Sequence, residues 1–585
     1  MRILVSVDYV VIAIYLATVF IIGLVLTRRA GQSIEHFFIG GRKMSWWLVG
    51  ISMAATNFSI DTPVAITKFV AREGIGGVWF FWASAISALL VTFLFSRLWR
   101  RAGVLTDAEI IERRYSGRSA SALRLFKGFY FGVIFNAFIM GWVFLALIKV
   151  VKGVTDLDIP VVLIVATVLV FIYTMASGYY GVLLTDFFQY FVAFAGSILL
   201  AWYSVSEVGG LNALVKKLSQ TDHISPSITN FFPRLVGESM IPASVFFTYI
   251  FVQWWAHKYA DGGGKHIQRM LSTRNENHSA AASLLFSFLN YALQVWPWIL
   301  TALCAIVLFG NLKDPEMGYP LMMARVLPAG LLGLVVVCLI GAFMSTVDTH
   351  LNLGASYMIN DIYKRFLVRN ASSGHYVFMS RIMMALLLGL SVILAHNMTS
   401  VAAAWKFLLT FASGAGLTWI VRWFWWRANA WTEFSGMLAS GIVATYLQIV
   451  YPQWLYSYKL LTTVGITTVV WLLVTYCTPP TEEEKLVAFV RDIRPGSPGW
   501  NYIYRKYGIA PVPYLRRALI MWVLGLICFF SLNFGIGNLL LSAAGEGIGL
   551  LLVALITGIF LYRRIRAQSR EVGNLSDYSR SPGHN

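Results

Sequence analysis

Long apolar runs recur from Val5 to Ile565, separated by short polar loops. A membrane-spanning helix needs roughly 20 predominantly apolar residues, and about fifteen segments meet that criterion. They are 5–27, 46–71, 76–100, 122–151, 158–177, 179–206, 241–257, 278–310, 330–364, 376–396, 399–427, 434–450, 456–477, 514–541 and 546–566. A backbone in lipid must satisfy its own hydrogen bonds, so runs of this length and number imply an all-α polytopic membrane protein. The first run lacks a basic leader and a small-residue cleavage site, and is expected to remain as a helix. A short amphipathic helix at 318–328 is expected as an outer lid, and 478–512 as a cytoplasmic helix-plus-turn insert.

Two of these runs are interrupted. MAATNFSIDTP (53–63) packs Thr56, Asn57, Ser59, Asp61 and Thr62 before Pro63 at mid-helix. FVQWWAHKYADGGGKHIQRM (251–270) dissolves into glycines near its inner end. Interrupted segments in corresponding positions of two halves point to an inverted-repeat transporter with a mid-membrane site. A third run, GAFMSTVDTHLNLGASYMINDIYKRF (341–366), stays helical but carries hydroxyls and a carboxylate. At 100° per residue, Ala342, Ser345, Thr346 and Thr349 share one face, with Asp348 and Asn352 at its margin. Polar groups there are costly unless they bind something, and hard oxygen ligands suit a small cation.

The formal charge of +19 would suggest nucleic acid in a soluble protein. Here the basic residues sit in alternate loops: 27–29, 97–101, 258–274, 363–369, Arg427, 485–517 and 562–566. That is the positive-inside pattern, so the N-terminus is expected outside, the C-terminus in the cytoplasm, and no nucleic-acid partner. Cys304, Cys338, Cys477 and Cys528 form no CxxC pair, which implies neither disulfide nor metal cluster. His257, His266, His278 and His350 lack metal spacing, and His350 reads as packing. Phosphate-loop, hydrolase and zinc-protease motifs are absent, so no enzyme is expected. Arg422 and Lys406 are the intramembrane charges of 399–427; Arg422 is expected to snorkel to the inner surface, Lys406 to meet a solute or the outer boundary.

Several motifs in order resemble the sodium/solute symporters, the family of the sodium–glucose, proline and sialic acid carriers. They are FFIGGRKMSWWLVGISMAATNFS (37–59), GVLTDAEIIERRY (103–115), SGYYGVLLTDFFQ (177–189), IQRMLS (267–272) and the 341–366 stretch. The resemblance implies a leucine-transporter-type fold of two inverted five-helix repeats with extra terminal helices. It divides the chain into an N-terminal helix and loop (1–45), the first repeat (46–206), an outer loop (207–240) and the second repeat (241–427). Two peripheral helices (428–477), the insert (478–512), C-terminal helices (513–566) and a disordered tail (567–585) follow.

By the same resemblance, one sodium ion would be held by the carbonyls of Ala55, Phe58 and Ala342 and the hydroxyls of Ser345 and Thr346. A possible second sodium would use Asp186, Ser345, Asp348 and Thr349; Asp348 departs from the family's all-serine version and could instead carry a proton. Position implies that Thr62, Gln253, Trp254, Trp255 and Asn290 face the solute, with Asn57 and Lys406 as further candidates. Asn290 stands where sugar carriers have a lysine. The expected function is sodium-coupled symport of a small polar solute, weakly favoured to be sugar-like, by a monomer in the inner membrane. Sodium serves as coupling ion with no other cofactor, and proton coupling or solute sensing are the alternatives.

Overall fold

A computed structural model of the chain describes residues 3–30, 42–104, 106–220, 225–234, 239–258, 260–512, 514–542 and 544–578. It is helical throughout, apart from one isolated bridge between Met44 and Thr273. Eleven helices among the described residues are long and apolar enough to cross a membrane, and shorter apolar helices lie at Ser6–Thr18, Ile159–Ile172 and Ala243–Gln253.

In chain order the main helices are α1 (Ser6–Ala30), α2 (Trp46–Asn57), α3 (Asp61–Glu73), α4 (Ile75–Ala102) and α5 (Gly117–Val154). Next come α6 (Ile159–Val208), α7 (Ala243–Gln253), α8 (Lys265–Ser272), α9 (Glu276–Phe309) and α10 (Leu331–Leu367). The series ends with α11 (Ser373–Asn397), α12 (Val401–Phe424), α13 (Ala430–Val450), α14 (Tyr456–Cys477), α15 (Glu483–Ile493), α16 (Tyr514–Leu541) and α17 (Ala544–Tyr578).

Three expectations about elements change. The runs 158–177 and 179–206 belong to the single helix α6, because a lone glycine in an apolar pattern costs about 1 kcal/mol and does not stop a helix. The 318–328 segment forms Gly318–Val326, with Tyr319, Met322, Met323 and Ala324 buried, so it is packed into the body rather than laid over it. The last helix runs on to Tyr578, into the tail expected to lack structure, and 579–585 lie outside the described residues. So does the 37–41 part of the first motif, as do the side chains of 175–184.

Buried charges tie the helices together in pairs and knots. Asp8 of α1 accepts hydrogen bonds from the Gly330 and Gly333 amides, both at 2.7 Å, and so caps the start of α10. Arg422 does not snorkel: it is 1% exposed and pairs with Asp261 at 2.5 Å and Glu433 at 3.4 Å. Two carboxylates brought in from other elements outweigh the pull of water on a guanidinium. Arg114 donates to the carbonyls of Arg422, Trp425 and Ala428 and lies over the rings of Trp500 and Phe489. The insert is therefore fixed to the α4–α5 connection by Arg114 lying over Phe489 and Trp500, and to the end of α12 by the Trp500 indole, which bonds the Trp423 carbonyl.

Helix α12 also presses on the unwound chain after α7. A Cβ at Gly416 would stand 2.4 Å from the Trp255 carbonyl oxygen and 2.7 Å from the His257 nitrogen, both backbone atoms. Replacing Gly416 with Ala should therefore lower stability by about 1–3 kcal/mol. Thermal unfolding of the detergent-purified protein checks this, and an unchanged melting temperature would contradict the packing.

Candidate functional site

The first break has a covalent cause. Pro63 lacks an N–H and its ring clashes with the carbonyl of the residue four back, here Ser59, so a helix cannot run through both. Helix α2 ends at Asn57, Phe58 leaves helical geometry at ψ 85°, and α3 begins at Asp61. Interruption frees carbonyls that the helix would otherwise use.

The second break lies between α7 and α8. Gly262 and Gly264 hold φ of 84° and 69°, a left-handed conformation that favours glycine. Asp107 on the α4–α5 connection accepts the Gly264 amide at 2.9 Å and the Tyr357 hydroxyl, which pins this loop to α10.

Between the two breaks lies a cavity of about 240 Å³. Thr56, Asn57, Ser59, Asp61 and Thr62 enter it from the first break, and His257, Lys258, Lys265 and His266 from the second. Asn290 of α9, Thr346 and His350 of α10, and Ser84, Ser87 and Ser283 add to the polar lining, and Phe80, Phe81, Trp142 and Tyr291 stand among the aromatic walls.

Of the residues expected to face a solute, Asn57, Thr62 and Asn290 line this cavity. The others are engaged elsewhere. Gln253 donates to the Phe80 carbonyl and accepts from the Tyr456 hydroxyl. Trp254 packs on Trp522, with ring centroids 5.4 Å apart, and the Trp255 indole bonds the Phe251 carbonyl. Lys406 pairs with Glu73 at 2.6 Å. Asp61, Lys258 and Lys265 were not among the residues expected to face a solute, although Asp61 sits inside the first interruption and both lysines flank the glycine run. His350, read as packing, points Nδ1 at Asn136 Oδ1 (2.7 Å) while lining the cavity.

The hydroxyl stripe on α10 divides in two. Thr346 Oγ1 donates to the Ala342 carbonyl at 3.0 Å and reaches the Thr56 carbonyl of the broken helix at 3.4 Å. Ala55, Phe58 and Ala342 are buried around that contact. Ser345 instead donates to Asp186 at 2.6 Å, on the side facing α6. Asp186 also accepts from Ser52 at 2.6 Å and pairs with Arg269 of α8 at 3.4 Å. Arg269 reaches Thr349 Oγ1 at 3.1 Å, so it joins two members of the second candidate set. Asp348 stands apart, bonded through one oxygen to Asn352 at 2.9 Å, with no hydrogen-bond partner on the other among the described residues. The guanidinium was missed in the sequence, where it appears as one letter of the IQRMLS marker.

Two interrupted helices facing one cavity, within a bundle of long apolar helices, make up a leucine-transporter-type membrane fold. A solved sodium-coupled sialic acid symporter, in a substrate-bound outward-open state, shares it with a TM-score of 0.68 at 19% identity, covering 82% of this chain and 99% of that one. The family model of the sodium:solute symporter family matches residues 37–440, and the chain belongs to that family. It is 26% identical over 429 residues to sodium/glucose cotransporter 1 of Oryctolagus cuniculus, covering 66% of this chain and 62% of the relative's length. It is 24% identical over 546 residues to sodium/myo-inositol cotransporter 2 of Sus scrofa, covering 83% of this chain and 79% of that one.

Asp186 and Arg269 are each almost fully buried. Replacing Asp186 with Asn strands the guanidinium and should cost about 3–5 kcal/mol. A fall in melting temperature of the purified variant checks this; a loss below about 1 kcal/mol, the level of an exposed pair, would contradict the buried pairing.

Proposed function

We propose that the chain is a secondary active transporter that couples inward sodium flow to uptake of a small polar organic solute by alternating access. The observation that carries this is the contact between Thr346 and the Thr56 carbonyl at the edge of the cavity. It brings freed backbone oxygens of α2 against the hydroxyl stripe of α10, beside a chamber large enough for a small solute.

In this reading the carbonyls of Ala55, Phe58 and Ala342 and the hydroxyls of Ser345 and Thr346 replace the hydration shell of one sodium ion. Neutral oxygens make a site weak enough to release the ion each cycle. Binding draws α2 and α10 together and steadies the broken segment that also lines the solute chamber, so ion and solute favour the same conformation. Ser345 would have to turn from Asp186 to serve both. A second sodium at Asp186 would compete with Arg269, which already supplies positive charge there. One sodium per cycle is therefore the better-supported stoichiometry, and about 100 mV then supplies roughly 2.3 kcal/mol per charge. The basic loops support an outside N-terminus and a cytoplasmic C-terminus in the inner membrane, and a monomer suffices because the cavity is built within one chain.

One observation favours proton coupling as a second reading: the unpartnered carboxylate oxygen of buried Asp348. Uptake into proteoliposomes with an imposed sodium or proton gradient separates the two. Thr346→Ala should raise the sodium concentration for half-maximal uptake by about tenfold, the equivalent of about 1.4 kcal/mol in one ion contact, and Ser345→Ala should shift it in the same direction. Unchanged sodium dependence in both variants, or uptake driven by protons alone, would overturn the sodium assignment.

A further inference from the structure

Helix α10 carries a histidine that the proposed sodium site does not use. His350 lies one turn beyond Thr346 on the same face of α10, and both line the cavity. It is 1% exposed. Its Nδ1 stands 2.7 Å from Asn136 Oδ1, whereas Nε2 is buried with no hydrogen-bond partner among the described residues.

Asn136 decides which ring nitrogen carries the hydrogen. Its Nδ2 donates to the Gly132 carbonyl at 3.3 Å, one turn back on α5, so Oδ1 is the atom turned to the imidazole. An amide oxygen only accepts. Nδ1 is therefore the N–H of the neutral ring, and Nε2 is a lone-pair acceptor. The amide is also held close against α10: a Cβ at Gly354, one turn past His350, would stand 3.2 Å from Asn136 Nδ2. Asn136 is fully buried and is not part of the cavity wall, so the far edge of the ring, with Nε2, is the one that meets the chamber.

A buried acceptor without a donor costs free energy that a bound donor recovers. The described residues lining the chamber include Lys258 and Lys265 and a single carboxylate, Asp61. That balance favours a neutral hydroxyl over a further ammonium as the donor.

We infer that His350 Nε2 is a solute contact: it accepts a hydrogen bond from a hydroxyl of the transported molecule, and Asn136 is the positioning residue that fixes the tautomer. This rests on the reading of the cavity as the solute chamber of a sodium symporter. Thr346, one turn away, reaches the Thr56 carbonyl beside the proposed sodium site. One rigid face of α10 would thus present an ion ligand and a solute ligand together. Drawing α10 toward α2 around the ion would bring Nε2 to the solute, which ties the two affinities to each other.

The experiment uses the full chain in proteoliposomes under an inward sodium gradient, with radiolabelled D-glucose, D-mannose, myo-inositol and sialic acid as hydroxylated probes. Glycine betaine, which has no hydrogen-bond donor, is the fifth. The expected result is sodium-dependent uptake of at least one hydroxylated probe and none of betaine. His350→Phe should raise the half-saturating concentration of that probe about tenfold, as for one lost hydrogen bond, with little change in maximal rate. His350→Gln, which returns an acceptor oxygen near the Nε2 position, should recover part of the loss, and Asn136→Leu should raise half-saturation in the same direction. Size-exclusion profiles verify that the variants are folded, and the wild-type comparison with betaine stands without them. Unchanged half-saturation in His350→Phe, or sodium-driven uptake of betaine, would overturn the inference and leave the symport reading intact. So would a fall in maximal rate alone, the mark of a structural role. Failure of every probe to move with sodium would overturn both.

Discussion

The structure depends on the cost of unwinding a helix where no water can reach its backbone. Every carbonyl released at 58–60 and every amide released at 254–264 needs a partner from protein or cargo. At the first break Thr346 reaches across to the Thr56 carbonyl, and Thr62 to that of Asn57. At the second, Asp107 and Asp261 take glycine amides, and Asp261 is itself held by Arg422 and Trp423. The buried polar network is thus the scaffold that keeps two frayed segments facing one chamber.

This accounts for where the charges lie. Arg422, Arg114, Lys127 and Glu433 knit α5, α12, α13 and the insert together near the second break. Elsewhere Lys149 and Lys68 meet Glu316, and Lys406 meets Glu73.

Much of this was legible in the chain. Pro63 behind a polar cluster marks the first break, since a proline's clash is local and needs no knowledge of the fold. The glycine run before Lys265 marks the second for the same reason. The hydroxyl stripe of α10 follows from helical periodicity. Pair partners were not legible: Arg422 reads as a snorkelling residue until Asp261 and Glu433 are seen beside it. The pairing of Asp186 with Arg269, which comes from α8, was likewise not legible. Gln253, Trp254 and Trp255 do not line the cavity: α7 ends in a π-helical turn, Tyr249–Gln253, through which α-helical periodicity does not carry. Asp61, Lys258 and Lys265 lie in the interrupted segments themselves, where helical spacing gives no direction to a side chain.

The central claim is that a sodium ion sits between the broken end of α2 and the Ser345–Thr346 pair of α10. Equilibrium binding of radioactive sodium to the purified protein tests it most directly. The account predicts saturable binding approaching one ion per chain, displaced by unlabelled sodium and not by the same concentration of potassium. No saturable binding, or displacement by potassium as effective as by sodium, would contradict it.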